Sequence, residues 1–210
     1  MSVVDRLTFE AILEQTLINE TSKDILVRAD EPITRGLRTV NTDHGAIHSG
    51  WGFCAHLYHA SLATTAKQVY RFKGPTTLYA HIKSIQAGVI GETITVKLIK
   101  DPTITNAGTI IADALQNLNH NATQTAQSAL YDGGVTYTGG TTWCEVIVRG
   151  STSGGIQVKA SSTFVQSDYL EYVTRDGDTD YILEIENIGT ATAEDISIDL
   201  FFYEEPLGIA

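Results

Sequence analysis

The stretch TTLYAHIKSI at residues 76–85 decides the fold class of this chain. It alternates apolar and polar residues, so that Leu78, Ala80 and Ile82 share one face of an extended chain. A period of two is the repeat of a β-strand, because successive side chains of a strand point to opposite faces of its sheet. The stretch therefore predicts a strand with one buried face.

Runs with the same period recur at residues 94–98, 145–148, 181–186 and 196–203. Clusters of glycine and aspartate separate the runs, as expected for turns: Gly88 with Gly91, Asp132-Gly133-Gly134, Gly139-Gly140, Gly154-Gly155 and Asp176-Gly177-Asp178. We interpret the stretch 110–118 as one more strand, although its alanines would also suit a helical turn. Strands spaced by roughly ten to fifteen residues predict an all-β fold, an antiparallel β-sandwich or jelly roll, which we place at residues 41–210.

The first 40 residues follow a different pattern. Four apolar residues recur at the spacing of one helix face: Phe9, Ile12, Leu13 and Leu17. They predict an amphipathic helix over about residues 3–18, and the polar stretch 19–31 with Pro32 predicts an extended arm after it. A short helix cannot bury an apolar stripe alone. We therefore predict that residues 1–40 form an attachment and oligomerisation segment, with the four apolar residues as its partner-binding contacts.

Composition and charge exclude several classes of function. Of the 210 residues, 42% are hydrophobic, which is enough for a packed core, and the formal net charge is −11. Such an acidic surface repels phosphate backbones, so we expect no nucleic-acid partner. No apolar run approaches the roughly 20 residues that span a bilayer, and the N-terminus lacks the basic region of a signal peptide. We expect a protein made in a cytoplasm, with no membrane partner.

Five histidines raise the question of a metal site: His44, His48, His56, His59 and His81. A metal-binding cupin would need a His-x-His pair with a glutamate shortly after it, and these spacings do not provide one. His44 and His48 would share one face of a helix, but Gly45, Gly50 and Gly52 argue against a helix there.

The aspartates at residues 176–180 resemble the start of a calcium loop. Tyr181 and Asn187, however, stand where an EF-hand needs glycine and glutamate. We therefore expect neither a metal nor a cofactor. Cys54 and Cys144 could pair with each other, but two cysteines cannot form a disulfide framework.

Motifs for catalysis are missing from the sequence. It contains no Gly-x-Ser-x-Gly, phosphate-binding loop or dinucleotide fingerprint. We interpret the acidic residues near the C-terminus as a solvated acidic face and not as a glycosidase pair: Glu184, Glu186, Glu194, Asp195, Asp199, Glu204 and Glu205. We therefore expect no enzymatic activity.

Six aromatic residues could either line a sugar-binding groove or fill the core: Trp51, Phe53, Tyr58, Tyr70, Phe72 and Tyr79. Large rings more often fill the core of a sandwich, because each buries a large apolar area. We therefore favour the core, and the groove stays open as an alternative.

The order of segments is similar to that of a known family. A His-Gly-Ala-Ile-His-Ser-Gly segment at 44–50 precedes the 76–85 strand, and Gly-Glu-Thr-Ile-Thr-Val follows at 91–96. Gly108-Thr109 then leads into an Asn-rich segment, and the chain closes on the strand pair 181–187 and 198–204. Over about residues 40–205, this order resembles the jelly-roll capsid decoration (head cement) proteins of tailed bacteriophages.

The resemblance implies a homo-oligomer, a trimer, that binds the major capsid protein on the exterior of the virion and has no catalytic residues. Two other functions stay open. One is a carbohydrate-binding β-sandwich module of a phage tail or fibre, and the other is an enzyme of the cupin type. A lattice binder would use its N-terminal helix and arm, whereas a sugar binder would use exposed aromatic residues on one sheet face.

Overall fold

The structure is a computed structural model that describes residues 25–29, 37–91, 93–150, 159–164, 172–174, 179–190 and 194–206. Contacts divide the chain into two compact units, Met1–Gly45 and Ala46–Ala210. In the first unit, β1 (Ile25–Ala29) pairs antiparallel with β2 (Leu37–Asn41). The helix predicted over residues 3–18 lies outside the described residues.

A short helix, α1 (Thr42–His48), precedes the sandwich, so the sequence interpretation against a helix was wrong. Gly50 does not interrupt this helix but ends it, with φ at +83°. The amide of Gly50 donates to the carbonyl of Ile47 at 3.0 Å, and the amide of Trp51 donates to the carbonyl of Ala46 at 2.8 Å. These two bonds form a Schellman motif, which favours glycine because the residue after the helix is left-handed.

Two antiparallel sheets form the second unit. The front sheet contains, in spatial order, β13 (Lys159–Phe164), β5 (Leu78–Ile90), β16 (Glu194–Pro206), β3 (Gly52–Leu62) and β9 (Leu115–Asn117), and β14 (Tyr172–Val173) also pairs with β5. The back sheet contains β12 (Thr141–Arg149), β6 (Thr93–Lys100), β15 (Asp180–Asn187), β4 (Lys67–Lys73), β10 (Ala129–Asp132) and β8 (Thr109–Ile110). A separate pair joins β7 (Thr103–Asn106) to β11 (Thr136–Thr138).

Eight of these strands have the order of a jelly roll. Taken along the chain they are β3, β4, β5, β6, β12, β13, β15 and β16. The first, eighth, third and sixth are neighbours in the front sheet, and the second, seventh, fourth and fifth are neighbours in the back sheet. This arrangement of two sheets is the double Greek key of jelly-roll proteins, and it confirms the predicted fold class.

Between the two sheets lies the hydrophobic core. Leu78, Ala80 and Ile82 are buried, which confirms the face predicted from the 76–85 stretch. Three rings form its centre: Phe202 lies 5.6 Å from Phe53 and 5.3 Å from Phe72 between ring centroids, the second pair edge to face. Such aromatic contacts contribute about 0.5–1.5 kcal/mol each beyond the apolar area that they bury.

Residues 101–140 form an insertion between β6 and β12, the fourth and fifth strands of the jelly roll. β9 extends the front sheet beside β3, and β10 and β8 extend the back sheet beside β4. The predicted strand over 110–118 is in fact two short strands in different sheets. Asp113, with φ at +55°, lies between them, so the chain turns there and crosses from the back sheet to the front sheet.

Candidate binding site

The four residues predicted to contact a partner lie outside the described residues: Phe9, Ile12, Leu13 and Leu17. Their role therefore stays a prediction.

The histidines of the predicted cluster lie on three different elements. His44 and His48 belong to α1, His56 and His59 to β3, and His81 to β5. Over the part of the chain that the structure describes, no group of three or more His, Cys, Asp or Glu residues could hold a metal ion. The same part contains no helix that is long and apolar enough to cross a bilayer.

Both cysteines are free thiols, on opposite sheets of the sandwich. Burial raises the pKa of Cys54, and the charge of Asp199 raises it further. Burial also raises the pKa of Cys144. Because the thiolate is the reactive form, these environments disfavour nucleophilic chemistry at either residue.

Most of the six aromatic residues serve the core, as predicted. Phe53, Tyr70 and Phe72 are buried, and Trp51 packs against the core from its edge. Tyr58 differs, because 58% of its surface is exposed. It stands on the outer face of the front sheet.

The outer face of the front sheet is polar around Tyr58. On β3, Cys54, His56 and Tyr58 alternate with buried core residues, and Asp199 lies opposite His56 on β16. The His56 Nδ1 and Asp199 Oδ1 atoms are 2.5 Å apart. A ring beside a polar pair of this kind can contact a ligand that has both an apolar face and hydroxyl groups.

Two of the C-terminal carboxylates are buried, so the prediction of a solvated acidic face was wrong for them. The first is Glu204, which is only 1% exposed. Its two oxygens accept hydrogen bonds from the backbone amides of Gln127 at 2.9 Å and Ser128 at 2.8 Å. The carboxylate therefore fixes the returning part of the insertion to the front sheet.

Glu184 is the second buried carboxylate, and it faces the insertion from the back sheet. Lys67 Nζ donates to it at 3.0 Å, Tyr137 donates from β11 at 2.7 Å, and Lys97 Nζ lies 3.8 Å away. Burial by itself raises the pKa of Glu184, but the hydrogen bonds from Tyr137 and Lys67 and the two lysine charges outweigh it, so the pKa lies below its usual value. Glu184 is therefore held as a charged carboxylate.

Asparagine side chains hold the insertion to the loop after α1. Asn117 Nδ2 donates to the carbonyls of Gly50 at 2.7 Å and Gln124 at 3.0 Å. Asn119 Nδ2 donates to the carbonyl of His48 at 3.0 Å. The Asn-rich segment thus has a structural role.

A cleft of about 330 Å³ opens at the edge of the sandwich, between β9 of the front sheet and β10 of the back sheet. Its apolar lining includes Phe53, Ile110, Ile111, Ala114, Leu115 and Leu130, and its polar lining includes Asp113, Asn117, Gln124, Thr125 and Ser128. The volume is near the lower end of ligand sites, about 300–1,000 Å³. The sequence alone does not indicate this cleft, because its walls come from strands of both sheets.

A comparison with models of known protein families found no match, and a comparison with curated protein sequences found none either.

Proposed function

We propose that this chain is a non-enzymatic structural protein of a tailed-phage virion that decorates the outer lattice of the capsid. The complete jelly-roll order of the second unit is the observation that carries the proposal. Jelly rolls are used by viral capsid proteins, lectins and cupins. Among these classes, the order of segments over residues 40–205 favours the head decoration proteins that it resembles.

In this proposal, residues 1–40 attach the protein to the major capsid protein or to a neighbouring subunit, and the jelly roll lies on the capsid exterior. A multimer that contacts several lattice sites at once gains affinity through effective concentration, even where each contact is modest. Weak single contacts would therefore be enough for stable decoration.

Anchoring of the insertion supports a binding role for the jelly roll. Glu204 holds the backbone at Gln127 and Ser128, and Tyr137 on β11 is bonded to Glu184 on β15. A surface that is already ordered avoids the conformational entropy that a loop would lose on binding. The insertion is thus suited to contact another protein.

The direct test is quantitative mass spectrometry of purified virions of the phage that encodes this chain. We expect the chain at a fixed ratio to the major capsid protein, unchanged by repeated gradient purification. A lysate of infected cells, which contains the unassembled chain, is the control for carry-over. A chain that is abundant in the lysate but missing from virions would contradict the proposal.

A carbohydrate-binding module is the second candidate, and exposed Tyr58 beside the His56–Asp199 pair favours it. Its test is a glycan array with the full chain and with Tyr58→Ala. Binding that Tyr58→Ala abolishes would support this candidate. Ile147→Ala removes an exposed apolar side chain from the back sheet and is the matched control. An array without any bound glycan would contradict the candidate.

A further inference from the structure

The insertion has a very different charge from the rest of the chain. Charged residues make up 19% of the sequence, whereas Asp113 is the only Asp, Glu, Lys or Arg among residues 102–131. Most of this segment is exposed or half-buried. A long, accessible segment with almost no charge stands out on a protein whose net charge is −11.

Apolar side chains protrude from the same segment. Ile110 is 56% exposed and lines the cleft, and Leu118, which directly follows β9, is 37% exposed. β8 and β9 are the last strands of the back and front sheets on this side. An edge strand offers unpaired backbone amides and carbonyls, which can pair with another chain.

These observations favour one kind of binding partner for this surface, a second copy of the same chain. Two copies of an acidic chain repel each other wherever their charges approach within about 8 Å, the Debye length at physiological ionic strength. The repulsion is smallest where both surfaces lack charge, and the cores of protein interfaces are depleted in charged residues for a related reason. We propose that a second copy of this chain binds at the edge formed by β8, β9 and the cleft.

The shape of this edge suits a contact between two identical surfaces. Contacts within a homo-oligomer need a protruding group on one copy and a recess on the other, and a single patch can supply both. Here the protruding groups are Ile110 and Leu118, and the recess is the cleft beside them. The exposed apolar groups of one copy can therefore be buried in the cleft of the next.

The test compares two isoleucines that stand on edge strands and are similarly exposed. Ile110→Lys puts a charge into the proposed interface, and Ile147→Lys puts the same charge on β12, at the other end of the back sheet, where Ile147 is 48% exposed. Sedimentation velocity of the full chain over a wide range of concentrations measures association. We expect the wild type and Ile147→Lys to associate equally, and Ile110→Lys to associate about tenfold more weakly or worse, as a disrupted interface centre does.

Ala112→Lys, at a second exposed residue of the edge, should weaken association in the same way, and thermal melting establishes that each variant is folded. A wild type that stays monomeric at all concentrations would overturn the inference, and so would equal association of Ile110→Lys and Ile147→Lys. This inference does not depend on the proposed capsid attachment. If the chain is monomeric but still co-purifies with virions, the proposed interface is disproved and the proposed function still stands.

Discussion

The hydroxyl of Tyr137 donates a hydrogen bond of 2.7 Å to the buried carboxylate of Glu184, across 47 positions of sequence. Tyr137 belongs to β11 in the insertion, and Glu184 to β15 in the middle of the back sheet. The bond therefore fixes the pair β7–β11 over the outer face of the back sheet, where Ile99, Val135 and Ile182 form a second small core.

Replacing Tyr137 by phenylalanine should lower the free energy of unfolding by about 1–3 kcal/mol, because a hydrogen bond to a buried charged group is lost. Equilibrium unfolding in urea measures the change. Tyr58→Phe is the control, because the hydroxyl of this exposed ring bonds Asp195 at the surface and its loss should change the stability much less. Equal stability of the two variants would show that the bond does not hold the insertion in place.

Stability should also depend on pH through Glu184. Its pKa is lower in the folded protein than the usual value of 4.5, so the unfolded chain binds a proton more readily. The stabilisation by Glu184 is thus fully present above the unfolded pKa and is lost as the pH falls through the folded pKa. We expect the difference in unfolding free energy between wild type and Glu184→Gln to be constant at neutral pH and to shrink in acid. A difference that grows in acid would contradict the predicted direction of the pH dependence.

Glu204→Gln tests the anchor of the returning insertion. A glutamine offers one acceptor oxygen in place of two, so one backbone amide of Gln127 or Ser128 loses its partner. Loss of a charge-assisted hydrogen bond at this buried site should cost about 1.5–3 kcal/mol. Glu145→Gln, at an exposed position of β12, is the control for loss of one negative charge. Denaturant unfolding that gives the same loss for both variants would argue against the anchor.

Two glycines of the insertion differ in what surrounds them, although both are left-handed. In Gly139→Ala, with φ at +63°, the added methyl group would lie within 4 Å of no other atom. The substitution should therefore lower the free energy of unfolding only by the backbone strain of about 1–2 kcal/mol. At Gly108, with φ at +71°, the added methyl group would overlap the carbonyl oxygen of Asp132 and the side chain of Val135. Gly108→Ala should therefore cost roughly 1–3 kcal/mol more than Gly139→Ala in thermal unfolding.

Deletion of residues 1–40 tests the predicted attachment segment. We expect a folded, soluble β domain that no longer joins virions, because burial of four apolar side chains is worth roughly 6–12 kcal/mol before ordering costs. Association through the edge formed by β8, β9 and the cleft should remain, and any further loss of association would measure what residues 1–40 add to the oligomer. Thermal melting measures whether the truncated chain is folded, and size-exclusion mass measures whether it still associates. An insoluble product would mean that the segment completes the core of its own domain, and full capsid occupancy by the truncated chain would contradict attachment.

The repeat of a strand was enough to predict which face of the 76–85 stretch is buried. Leu78, Ala80 and Ile82 are buried because a strand repeats every two residues, and this local rule needs no knowledge of neighbouring strands. The same rule predicted the 181–186 strand, and its residues lie in β15. The role of Gly50 was not predicted, because this residue ends a helix through a left-handed φ, and the φ of a glycine cannot be predicted from the residue type alone.

The partners of the two buried carboxylates follow from the tertiary structure and not from the local sequence. Glu184 and Glu186 share one face of β15, yet Glu184 is the more deeply buried because the Tyr137 hydroxyl reaches it from the insertion. Glu204 lies two residues after Phe202 on the face of β16 that also carries the buried Leu200, and its carboxylate is stabilised there because the backbone amides of Gln127 and Ser128 donate to it. Both carboxylates are fixed by partners more than 40 positions away, and local periodicity contains no information on contacts over such distances.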